Sequence, residues 1–183
     1  MRLFIGIPLA DSVQAALSSL IARLRPATNL RWSGPDSWHI TLQFLGNTTP
    51  EQYLCLIARL AQFRFPPVPI HLGELGVFDR AGIFYAAIDP TPQLISLQLR
   101  VVSATALCGF EPESRPYHPH TTLARSKALN RGRQLGDLQS LVGVQPRFPR
   151  FTAQKFLLYE SHLSSAGSTY AVRHRFPLQS PGE

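Results

Sequence analysis

The sequence predicts an α+β protein made of two similar half-units with antiparallel sheets. Three observations lead there. Alternating apolar and polar stretches recur between stretches of helical spacing, in the order β-α-β-β-α-β-β and then α-β-α-β-β, with no long linker. Residues 70–78 and 82–89 read as a hairpin across Asp79–Gly82. The four-residue pattern His-x-Thr-Leu occurs twice, at His39–Leu42 and His120–Leu123, about 80 positions apart and once in each half.

The elements follow in order. "RLFIGIPL" reads as a buried strand over residues 2–9, and Asp11 as the N-cap of a helix over 11–24. "NLRWSG" is short and extended, and "HITLQFLG" is a strand closed by Gly46-Asn47. Thr48 or Thr49 caps the next helix, with Pro50 in its first turn. Pro-rich residues 64–69 form a loop before the hairpin. A long amphipathic helix covers 91–110, "HPHTTLARS" is a strand, and 127–143 read as a weaker helix. "FTAQKFLLYESHL" and "TYAVRHRFPL" close the chain as two strands, and residues 179–183 read as a frayed tail of a single domain spanning 1–183.

Composition narrows the classes. Of 183 residues 44% are hydrophobic and 16% charged, a globular balance. No apolar run reaches the 18 or so residues of a membrane helix. The N-terminus lacks the long apolar core of a signal peptide, so a cytoplasmic location and no membrane partner are expected. Cys55 and Cys108, in apolar helical surroundings, read as free buried thiols. Net charge is +7, and 16 of the 18 basic residues are Arg, which suits phosphate recognition and a nucleic-acid partner, though charge alone fits a generic solvated surface equally well. No Gly-rich phosphate loop is present, so no nucleotide cofactor is expected.

In a strand, residues two apart share a face. His39 and Thr41 therefore point one way, as do His120 and Thr122, while Ile40, Leu42 and Leu123 point the other. If the half-units pack about an approximate two-fold axis, two imidazoles and two hydroxyls meet at one cleft. An unperturbed imidazole titrates at about 6.5, so two of them can act as complementary acid and base. The hydroxyls can donate to the non-bridging oxygens of a phosphate. His118 and His120 share parity and would offer two metal ligands, but no acidic cluster accompanies them, and no metal is expected.

"RWSGPDSWHITLQFLG" and "RPYHPHTTLARS" resemble the paired His-x-Thr signatures of the 2H phosphoesterases, most closely the RNA 2′,3′-cyclic phosphodiesterases, also called 2′-5′ RNA ligases. The resemblance extends over nearly the whole chain. It implies two pseudo-symmetric lobes, each an antiparallel sheet with helices outside, and motifs facing a central groove. It also implies metal-independent hydrolysis of 2′,3′-cyclic phosphate ends of RNA, or of cyclic nucleotides, to 2′-phosphomonoesters by a monomer without cofactors. Reversible ATP-independent 2′-5′ joining is the related reaction, and a non-catalytic binder of phosphorylated RNA ends is the alternative. His39 would be the acid and His120 the base, an assignment the residue types leave open. Phe44 and Arg125, each five positions after a motif His, would stack on the terminal base and hold phosphate. Their odd offset requires a bulge to turn them into the groove.

Overall fold

Two four-stranded sheets and a two-stranded ribbon, all paired antiparallel, organise the computed structural model, which describes residues 1–126, 138, 140–164 and 167–180. Its strands are β1 (Arg2–Pro8), β2 (Arg31–Trp32), β3 (His39–Asn47), β4 (Val68–Ile70), β5 (Leu72–Phe78), β6 (Ile83–Ile88), β7 (His120–Arg125), β8 (Phe151–Ala153), β9 (Lys155–Ser164) and β10 (Gly167–Pro177). The first sheet has the order β10-β9-β1-β3, the second β2-β7-β6-β5, and β4 pairs with β8. The motif strands fall in different sheets, β3 beside β1 and β7 beside β6, and each sheet draws strands from both halves of the chain.

One face of each sheet feeds a shared core. Leu3, Ile5, Ile7, Ile40 and Leu42 of the first join Phe84, Ala86, Ile88, Leu123 and Ala124 of the second in one cluster. Helix α1 (Asp11–Leu24) adds Val13, Leu17, Leu20, Ile21 and Leu24, at the three-and-four spacing of one helical face. Helix α2 (Pro50–Ala61) adds Leu56 and Leu60, and α3 (Pro92–Ala106) adds Leu94, Leu97 and Val101.

Several expectations are corrected. Asp11 is the first helical residue; Ala10 precedes it and gives no side-chain cap. Asp11 still opposes the positive end of the helix dipole. Of the two expected caps it is Thr49 that caps α2, in a capping box whose return bond runs from the Thr49 N–H to the Gln52 side chain. The stretch expected as a loop over 64–69 already enters β4 at Val68. "FTAQKFLLYESHL" is two strands: β8 joins the ribbon and β9 the first sheet. Gln179, expected in a frayed tail, pairs with Phe65. Of the helix expected over 127–143, Leu138 and residues 140–142 are helical, and most of the segment lies outside the described residues.

The cysteines are not free: Cys55 and Cys108 form a disulfide with their Cα atoms 5.7 Å apart. Cys55 lies on α2 and Cys108 just past the end of α3, where Gln52 Nε2 donates to the Cys108 carbonyl at 3.5 Å. Packing of α2 against α3 creates this proximity, and a sequence separation of 53 carries no sign of it. Closing a loop of that length restricts the unfolded chain. Cys108→Ser should therefore lower folding stability by about 2–4 kcal/mol, seen as a lower urea midpoint; an unchanged midpoint would refute the bond's contribution.

Candidate active site

β3 and β7 adjoin where the two sheets meet. Along β3 the core residues Ile40 and Leu42 alternate with half-buried His39 and Thr41, and along β7 Thr121 and Leu123 alternate with His120 and Thr122. Both strands then break register at the same place. Opposite β1, the pairing steps from Thr41 to Gln43 and passes over Leu42. Opposite β6, it steps from Thr122 to Ala124 and passes over Leu123. Each extra residue is a bulge three positions after the motif His. It reverses the parity, so Phe44 and Arg125 emerge exposed. Phe44 pairs with Phe4, whose ring lies 6.0 Å from that of Phe44 and 4.6 Å from that of His39. The odd offset thus places both residues on the motif histidines' face.

The rings are held alike. His120 Nδ1 bonds the carbonyl of His118 at 2.8 Å, and His39 bonds the backbone of Ser37, again two residues back. With Nδ1 of His120 donating, its Nε2 is left for the groove. Aromatic rings pack around each. His39 lies 5.5 Å from Tyr159 and 5.1 Å from Tyr170, and His120 lies 5.1 Å from Phe78 and 5.5 Å from Tyr85. Gly6 makes room on the first side, since a Cβ there would lie 3.6 Å from His39 and 3.0 Å from the Ile40 carbonyl.

Burial, above all, holds the His39 ring down at about 4; the Ser37 bond opposes this and the charge of His120 adds to it. His120 is also lowered, first by burial, with the His118 carbonyl opposing and the charges of His118 and Arg125 contributing. These couplings place the two imidazoles, and Arg125 with His120, within electrostatic reach. The Thr41 and Thr122 side chains, half-buried on the same face, form no hydrogen bond with other described residues.

Reciprocal ties join the halves. Ser33 Oγ, ahead of the first motif, lies 2.8 Å from the carbonyls of both Thr122 and Leu123 in the second, between which its one hydroxyl proton is shared. Tyr117, ahead of the second motif, donates to the Thr41 carbonyl in the first at 3.0 Å. The "RWSG" stretch therefore precedes the first motif but pairs with the second, Arg31 opposite Arg125 and Trp32 opposite Ala124. Ser33, Phe4, Phe78, Tyr159 and Tyr170 carry no sequence signal of these contacts, because each depends on a partner far along the chain.

Other residues resolve simply. Phe84 is fully buried against Trp32 and belongs to the core. His118 packs beside His120. His162 and Arg173 both approach Glu160, at 3.8 and 3.6 Å. The pair Arg131 and Arg133, which the sequence offers either as a contact for an RNA backbone or as a solvated face, lies outside the described residues. Among the described residues, no group of three or more His, Cys, Asp or Glu is arranged to hold a metal ion, and no helix is long and apolar enough to cross a membrane.

A family model described as the 2′-5′ RNA ligase superfamily matches residues 9–159. The chain belongs to the 2′-5′ RNA ligase superfamily. Within the superfamily it is similar to the RNA 2′,3′-cyclic phosphodiesterase of Bacillus subtilis, 29% identical over 168 residues and covering 89% of each chain. The crystal structure of Escherichia coli LigT in apo form superposes with a TM-score of 0.80 at 26% identity, covering 98% of both chains. LigT complexed with 3′-AMP gives a TM-score of 0.79 at 26% identity, covering 97% of both. The α+β fold with two antiparallel lobes is therefore that of the superfamily.

Proposed function

We propose that this chain is an RNA 2′,3′-cyclic phosphodiesterase that needs no metal. The observation that carries the reading is the meeting of two His-x-Thr strands where the sheets adjoin, each ring bonded to the backbone two residues back. The name of the Bacillus subtilis relative and the nucleotide bound by LigT support it.

His120 Nε2 takes a proton from water, whose oxygen attacks phosphorus. The bond from phosphorus to the 3′ oxygen breaks on the opposite side, and protonated His39 gives that oxygen its proton. The product is a 2′-phosphomonoester with a free 3′ hydroxyl. A ribose hydroxyl in place of water gives a 2′-5′ linkage by the same steps, and the reverse reaction regenerates the cyclic phosphate. Thr41 and Thr122 donate to the non-bridging oxygens, where negative charge builds. Arg125 supplies a fixed charge beside Thr122, and Phe44 offers an exposed ring to the terminal base.

The deciding experiment is turnover of a 2′,3′-cyclic nucleotide in EDTA, with the product identified by phosphorus NMR. A 2′-monophosphate formed in chelator is expected. Binding without turnover would leave a non-catalytic binder, and loss of turnover in EDTA would overturn the metal-free mechanism.

The pH profile provides a second check. Catalysis requires one protonated and one neutral imidazole, and in the empty groove both titrate below the usual value. The optimum of kcat/KM, which reports the free enzyme, is therefore expected on the acid side of about 6.5. A bound phosphate anion favours imidazolium, so the kcat optimum should lie higher. Coincident optima at or above neutrality would contradict this electrostatic account.

A further inference from the structure

The histidine-bearing face of the second sheet continues past the candidate site. Ala87 of β6 pairs with His120. Two residues on, about 7 Å along the strand, Asp89 falls on the same face by parity. Gly73 lies against this face: a Cβ there would sit 3.0 Å from Asp89 Oδ1 and 3.8 Å from Ala87 Cβ. The Asp89 N–H donates to the His71 carbonyl at 2.9 Å, and His71 Nδ1 bonds Asp89 Oδ2 at 2.6 Å. This pair borders a cavity of about 370 Å³ that Thr91, Arg150 and Thr152 also line.

The chemistry of the lining suits one unit of an RNA strand. The Arg150 guanidinium pairs with no described carboxylate, and its planar fork matches phosphate. Asp89 engages His71 Nδ1, which leaves Nε2 to accept a hydrogen bond from a sugar hydroxyl. The 2′ hydroxyl is the group that separates RNA from DNA at such a site. Direction follows from the substrate. A strand ending in a cyclic phosphate has further nucleotides only on its 5′ side. The proposed function sets the terminal base against Phe44 of β3. Asp89, just past the near end of β7 on the histidine-bearing face, offers that 5′ side a continuous path from the site.

We propose that the cavity beside His71 and Asp89 is the subsite for the nucleotide on the 5′ side of the one that carries the cyclic phosphate, with Arg150 holding the internucleotide phosphate and His71 Nε2 a ribose hydroxyl. The inference rests on the cyclic phosphodiesterase reading and names its substrate class as an oligoribonucleotide.

The test compares a 2′,3′-cyclic mononucleotide with a tetraribonucleotide ending in the same group. Wild-type protein should favour the tetramer in kcat/KM by about tenfold, the factor that 1.4 kcal/mol supplies. Arg150→Ala and His71→Ala should each shrink that ratio toward one. Binding of a fluorescent tetramer by Arg150→Ala should also show a salt slope shallower by about 0.7, as expected for one lost phosphate contact on a single strand. A tetramer ratio and salt slope that survive both Arg150→Ala and Arg150→Glu would overturn the subsite, as would a wild-type protein with no preference for the tetramer. Failure of the wild type to turn over the mononucleotide and the tetramer alike would instead sink the cyclic phosphodiesterase reading, and the salt slope of tetramer binding would still decide the subsite.

Discussion

His120→Ala is expected to lose about 10²–10⁴-fold in turnover of a 2′,3′-cyclic nucleotide, the range for one general acid or base. His39→Ala should lose as much. Both rings lie on the groove face, opposite the strand residues that build the core, so the fold should survive either change. Circular dichroism and thermal unfolding check that condition. Retention of most activity in either variant would remove that histidine from the mechanism. The two losses differ in kind, and the difference assigns the roles that the near-symmetric geometry leaves equivalent. An aryl phosphodiester leaves as a stable phenolate and needs no acid. His39→Ala should recover much of its rate on such a substrate, whereas His120→Ala, still without a base for water, should not. Recovery in the opposite variant would exchange the two roles. The site supplies a reason to ask: burial and His120 together hold His39 near 4, so near neutral pH it takes up its proton from solvent as the anionic substrate binds.

Much of this candidate site is legible in the sequence alone, for a physical reason. Strand parity is local, so the spacing of His39 from Thr41 and of His120 from Thr122 decides their shared faces whatever surrounds them. The odd offsets of Phe44 and Arg125 likewise called for a bulge, and the register steps over Leu42 and Leu123 provide two. Capping is local as well, and Thr49 with Pro50 opens α2. What the sequence concealed depends on distant partners. Cys55 meets Cys108 because α2 packs on α3. Tyr159 and Tyr170 reach His39 from the first sheet's other strands, and alternation shows their face without showing what they face. The segment read as one strand from Phe151 splits because β8 pairs with β4 and β9 with β1, a choice between partners that no local pattern records.

Thr122→Val should cost roughly 10–10³-fold in kcat, by comparison with removal of one oxyanion donor. Valine has nearly the same shape, and the Thr122 side chain forms no hydrogen bond with other described residues. Stability should therefore change little, and the loss should fall on the chemical step. Thr41→Val should behave the same way, since Thr41 occupies the equivalent place on β3. A donor that acts only as charge develops lowers kcat and kcat/KM together, whereas one that merely holds the substrate raises KM alone. The double variant tests whether the two hydroxyls share one phosphate. If both serve the same two oxygens, their effects depart from additivity by more than the 0.3–0.5 kcal/mol or so tolerated between independent sites. Strict additivity would show that the two hydroxyls act independently, and a change confined to KM would place the threonines in binding and leave the histidines alone with the chemistry.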